Sequence, residues 1–150
     1  MTSRLAHVGH LARRFVGSLS RRPPTAPDVA WVDRLLSRRE RALWGRMGPA
    51  DRRHSIEVAR RFVAIRPAAT RTELAAALLH DVGKVESGLG PFGRVVATVV
   101  GARQARFRRY HDHEVIGARL AAAAGADPVT VALIEGRGPA GADLESADTM

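Results

Sequence analysis

The sequence predicts an all-α bundle of about six or seven helices. Three observations carry this. Alanine and arginine dominate and aromatics make up only 5% of the chain, a bias toward helix over strand. Apolar positions recur at helical spacing between proline and glycine breakers, and no second persistent period-two stretch accompanies them. At 150 residues, with 45% hydrophobic and 26% charged residues, the chain suits one folded domain and is too short for two ordinary ones.

The N-terminal "MTSRLAHVGHLARRFVGSLSRR" places Leu5, Val8, Ala12, Phe15 and Leu19 on one helical face, with Arg4, Arg13 and Arg14 elsewhere. Such a face can lie on an anionic membrane surface, or pack on its own domain or a partner helix. Arginines interrupt any apolar h-region, so the segment does not read as a secretory signal, and the expectation is a cytoplasmic protein. "RRPPTAP" at 21–27 breaks the helix, since successive prolines cannot continue it. Residues 1–26 are therefore read as a basic segment and linker, and 27–150 as the helical domain.

From Pro27 a helix runs through Trp31 and Leu35, and Ser37 caps "RRERALWGRM", which ends at Gly48. Asp51 or the Gly48-Pro49 turn opens "DRRHSIEVARRFVAI", whose Ile56, Val58, Ala59, Phe62, Val63 and Ile65 suit a mostly buried helix stopped before Pro67. "TRTE" at 70–73 has capping-box spacing and launches "LAAALLHD", with Gly83 marking that helix's end. "GPFGRVVATVVG" is ambiguous because its valines favour strand, and it is read as helix. "DHEVIGARLAAAAG" ends in glycine, Asp127 with Pro128 opens "DPVTVALIEG", and "GADLESADTM" closes as a short helix.

With no cysteine there is no disulfide, thiolate metal site or cysteine nucleophile, so a metal must be held by histidine and carboxylate. The longest apolar runs, such as Val95 to Val100, fall far short of a membrane span. A formal charge of +9 attracts polyanions, nucleic acid among them, and the arginines of "GARQARFRRY" at 101–110 are candidates for that contact. Only one tyrosine and two tryptophans are available for base stacking.

"LLHDVGK" at 78–84 is the stretch with chemistry in it. His80 and Asp81 are neighbours, and an imidazole with a carboxylate is a common ligand pair for Mn, Fe, Co, Zn or Mg. Two ligands are not a site, and further donors must come from other helices. His54, His111 and His113 are the other histidines in structured contexts; a lone histidine on the face of His54 is ordinarily a core residue. Lys84 is the sole lysine in a chain that otherwise uses arginine. A compact ammonium suits one phosphate oxygen in a tight site, whereas a charge at a helix C-terminus is the plainer explanation.

The order His54, His80-Asp81, Asp148 resembles the H…HD…D pattern of the HD-domain metal-dependent phosphohydrolases, over about residues 44 to 150. "HDVGK" is similar to the HDxGK of the HD-GYP phosphodiesterases and of some bacterial ribonuclease HD domains, and "HEVIGARLA" at 113–121 resembles the H-x-x-x-G-A segment that follows there. The resemblance implies an HD-like helical bundle in which His54, His80, Asp81 and Asp148 ligate one divalent ion, with His113 a further ligand or a donor behind the ligands. It implies hydrolysis of a phosphomonoester or phosphodiester, a nucleotide among them, by water that the ion activates. Asp81 would orient or deprotonate that water and Lys84 would offset phosphate charge.

The chain departs from the pattern in three places. "VALIEGRG" has no histidine where two-metal members carry a pair, leaving Glu135 as the nearby donor and favouring one ion. "GLGPFG" at 88–93 lacks the Gly-Tyr-Pro element, which argues against cyclic dinucleotides. Asp148 stands close to the last residue, where helices fray, and Asp143 competes for its role. A regulatory module that holds metal or nucleotide without turnover, and a phosphodiesterase acting on bound nucleic acid, are the alternatives.

Overall fold

The computed structural model describes residues 21–86 and 103–150, the backbone alone for 103–111. Among them are seven α-helices and one 3-10 turn, and no strand, so the all-α expectation holds. In chain order they are α1 (Ala26–Leu35), α2 (Arg38–Gly45), α3 (Pro49–Ile65), α4 (Arg71–Leu79), the 3-10 turn Val82–Val85, α5 (Arg103–Ala123), α6 (Pro128–Ile134) and α7 (Gly141–Thr149). The amphipathic face at 5–19 and the helix read in "GPFGRVVATVVG" lie outside the described residues.

Local capping chemistry sets most helix starts. Ser37 and Thr70 each accept the N3 amide while Glu40 and Glu73 reach back to the cap amide, so both form full capping boxes. Thr25 and Asp28 make a third, which starts α1 at Ala26, one residue before the expected Pro27. Asp127 accepts from Val129 N–H at 2.8 Å and opens α6. Two sequence boundaries are corrected. α2 ends at Gly45, and Gly48 is the N-cap of α3, with Pro49 at its first turn. α5 begins at Arg103 rather than near Asp112, because "RQARFRRY" contains helix formers and no breaker.

The centre of the domain is α4. Ala75, Ala76, Ala77, Leu78 and Leu79 are all fully buried, and the helix meets α1, α2, α3 and α6. Alanine on several sides of a helix lets neighbours approach closely, and the two leucines fill what remains, each burial contributing roughly 1.5–3 kcal/mol. Phe62, Ile56 and Val58 of α3 and Val32 of α1 pack into the same core. Thr130 of α6 donates its buried hydroxyl to the Thr72 carbonyl at 2.8 Å, tying α6 to the start of α4. From Ala75 to Leu79 the helix has no wet face, and this buried end delivers His80 at its C-cap.

Trp44 anchors the front of α3. Its indole N–H donates to Ser55 Oγ at 2.9 Å, and Ser55 in turn donates to the Arg52 carbonyl. The guanidinium groups of Arg41 and Arg52 lie 4.7 and 5.5 Å from the Trp44 ring centre. This packing sets the helical turn that carries His54.

Gly83 does not end a helix, as the sequence reading had it. It lies within the 3-10 turn, where that turn crosses α5. A Cβ on Gly83 would sit 2.1 Å from the His113 carbonyl oxygen and 2.9 Å from Gly117 N. Gly117 faces back across the same contact, where a Cβ added to it would sit 3.3 Å from the Gly83 nitrogen. The glycine of "HDVGK" and the glycine of "HEVIGARLA" are thus the two sides of one backbone crossing.

Two glycine substitutions separate contact from conformation. Gly83→Ala, colliding with backbone on an immobile helix, is expected to cost about 3 kcal/mol or more in urea unfolding. Gly125→Ala, at φ 76° with nothing within 4 Å of the added carbon, is expected to cost only about 1–2 kcal/mol.

Candidate metal centre

Three helices bring four of the predicted residues together. α3 supplies His54, the end of α4 supplies His80 and Asp81, and α7 supplies Asp148. His54, His80 and Asp81 each present a ligand atom, and these atoms lie within 4.8 Å of one another. The two imidazole rings are 5.9 Å apart, centre to centre. Asp148 Oδ1 lies 2.8 Å from His54 Nε2 and 3.5 Å from His80 Nε2.

His80 is the pivot. Its Nδ1 is 2.8 Å from the Ala77 carbonyl, and a carbonyl only accepts, so Nδ1 carries a proton. Nε2 therefore faces inward, toward Asp148 and toward Asp81 Oδ1 at 3.7 Å. It is buried and makes no hydrogen bond. An imidazole nitrogen oriented by a backbone carbonyl, buried and aimed between two carboxylates, fits a divalent cation by the usual logic of a histidine ligand. The donor set of imidazole nitrogens and carboxylate oxygens suits such an ion.

The charges agree. Burial would push His80 down, yet the carboxylates of Asp81 and Asp148 prevail and raise it to about 8. Burial would likewise raise Asp81, but Lys84 and His80 hold its carboxyl far below the usual carboxylate range. Asp148 is held far below that range as well, its burial outweighed by His54 and His80. The centre is a place where negative charge is concentrated around a site that attracts a cation, a proton included.

Lys84 reaches Asp81 Oδ2 at 2.5 Å. The pair is spaced i,i+3, a separation visible in "HDVGK" that local geometry makes a contact. It leaves Oδ1 of Asp81 on the His80 side. His113 does not join the three converging donors; its backbone carbonyl forms the crossing with Gly83. The side chain of His111 lies outside the described residues. Glu135, the donor noted for a second ion, is paired with Arg137 at the end of α6. Between the two candidate carboxylates of α7, Asp143 pairs with Arg66 at 3.3 Å while Asp148 meets the histidines. Sequence reasoning missed the Ala77 carbonyl, although a backbone acceptor three residues before a C-cap histidine is within helical reach.

A family model described as HD domain matches residues 52–137, a span that includes His54, His80, Asp81, Lys84 and His113 and stops short of Asp148. No curated protein and no solved structure gives a significant match. Among the described residues no helix is long and apolar enough to cross a membrane.

The charge balance has a measurable consequence in chelator-treated protein. His80 binds its proton more tightly folded, at about 8, than at its ordinary 6.5. Its stabilising contribution is therefore full below about pH 6.5 and is lost as pH rises through about 8, a change on the order of 2 kcal/mol. The lowered Asp81 and Asp148 act oppositely, stabilising above their ordinary 3.8 and losing that contribution on acidification. Urea unfolding from pH 6 to 9 should show the alkaline loss in the wild type and not in His80→Gln.

Proposed function

Since the chain belongs to the HD-domain family, within the metal-dependent phosphohydrolase superfamily, we propose that it hydrolyses a phosphomonoester or phosphodiester, a nucleotide among the candidates, at the His54, His80, Asp81, Asp148 centre. The observation that carries this reading is the buried Nε2 of His80, without a hydrogen bond and set between two carboxylates. His54, His80, Asp81 and Asp148 would hold one divalent ion of the Mn, Fe, Co, Mg or Zn class. When bound, the ion supplies Lewis acidity, which acidifies water and neutralises charge on a phosphoryl oxygen.

The protein's own groups do the rest. The Ala77 carbonyl fixes the His80 tautomer and aims Nε2. Lys84 holds one oxygen of Asp81, which orients the other toward the histidine. A carboxyl kept so far below the ordinary range is a poor proton acceptor near neutrality, so Asp81 acts by ligation and orientation. Lys84 also places a positive charge beside the centre, where it offsets charge on a phosphate.

One observation favours a second reading, a regulatory HD module that binds metal or nucleotide without turnover. The sole lysine already neutralises Asp81 at 2.5 Å. If its ammonium stays there, it acts on the carboxylate and not on substrate.

Metal analysis and a turnover assay separate these readings. Wild type purified with Mn²⁺ or Co²⁺ is expected to retain about one ion per chain and to hydrolyse a chromogenic phosphoester. Asp81→Ala is expected to weaken metal binding at least ~10-fold and turnover about 100-fold. Equal metal content and equal background rates in the two proteins sink the enzyme reading. Metal retention with no turnover across a panel of nucleotides leaves the regulatory one.

A further inference from the structure

Asp148 is delivered to the metal centre by a helix with little apolar anchorage. α7 buries Leu144 and Ala147, and few other side chains hold it. Apolar burial on that scale is small against the entropy of ordering nine residues. Something else must hold α7 closely enough for a 2.8 Å contact with His54.

Two arginines of the helix that carries His54 do so. Arg66, the C-cap of α3, reaches Glu73 at 3.1 Å and Asp143 of α7 at 3.3 Å. Arg61 donates to the Ala147 carbonyl at 3.4 Å. Read along α3 from its end toward its start, the contacts meet α7 at 143, then 147, then 148, so α7 runs back along α3 with Asp148 at the His54 end. Arg66 is not a loose surface charge. Its other arm rests on Glu73, a buried carboxylate that is itself held by the Thr70 amide at 2.8 Å in the α4 capping box. A guanidinium fixed on one side loses little freedom in binding the second carboxylate, unlike an ordinary exposed pair.

We propose that Arg66, through Asp143, is a positioning residue for the metal centre: it clamps α7 to α3 and so sets the Asp148 carboxylate against His54 and His80. The inference rests on the metal-binding reading of those four residues. It assigns Asp143 a role in the site without making it a ligand.

Co²⁺ binding to the full chain, followed by calorimetry and by the visible absorption of the bound ion, tests this. Asp143→Asn, which removes the α7 arm and leaves Arg66 on Glu73, is expected to raise the Kd about two- to fivefold. Asp148→Asn is expected to raise it about tenfold or more. Asp143→Asn combined with Asp148→Asn should bind no more weakly than Asp148→Asn alone, because the clamp acts only through that carboxylate. Arg66→Met should repeat the Asp143→Asn effect and likewise vanish in the Asp148→Asn background. Faster amide exchange in α7 of Asp143→Asn should accompany the weaker binding. Wild-type affinity in both Asp143→Asn and Arg66→Met overturns the inference while the metal centre stands, as does an additive loss in the double variant. If the wild type takes up no Co²⁺, the metal-centre reading fails and takes the inference with it.

Discussion

Two carboxylates directed at one buried imidazole are the constraint around which this domain is built. Asp81 and Asp148 converge on His80 Nε2 from different helices, 3.7 and 3.5 Å away. Two negative charges brought this close inside a protein repel each other and have lost much of their hydration, which is tolerable only with compensating positive charge. Lys84 offsets one of them and His54 meets the other. His80, raised to about 8, shows the remaining demand, since it holds a proton where burial alone would expel it. A divalent cation answers the same demand more completely than a proton does.

The rest of the fold keeps that unfavourable meeting in place. The last five residues of α4 are buried on all sides and lead directly to His80, which holds the imidazole in place. The turn carrying Asp81 and Lys84 is pressed on α5 through Gly83 and Gly117, a contact without room for a single added carbon. Trp44 and Ser55 lock the turn of α3 that bears His54. His54, His80 and Asp81 thus come from elements fixed by packing that involves no ligand, which is what pre-organisation of such a site requires.

The excess of arginine has a structural meaning too. Arg41 pairs with Asp33, Arg60 with Asp28, Arg71 with the buried Glu40, and Arg66 with Glu73 and Asp143. Arg41 and Arg52 flank Trp44, and Arg60 lies 5.6 Å from the Trp31 ring. Much of the basic side-chain surface among the described residues is therefore engaged within the domain. The formal charge of +9 alone overstates how much of it faces a polyanion.

The sequence by itself determined what depends on neighbours a few residues apart. Capping boxes at Ser37 and Thr70, the Asp127 cap, helical periodicity and the adjacency of His80 and Asp81 all follow from spacings of one to four, which helix geometry converts directly into contacts. Tertiary structure decided what depends on how helices cross. His54 and Asp148 are 94 positions apart, and no local pattern distinguishes Asp148 from Asp143 as their meeting point. The work of Gly83 as a crossing instead of a helix end was settled by the packing of α5. Such contacts are set by the shapes of two distant surfaces at once, and a reading along one chain sees only one surface at a time.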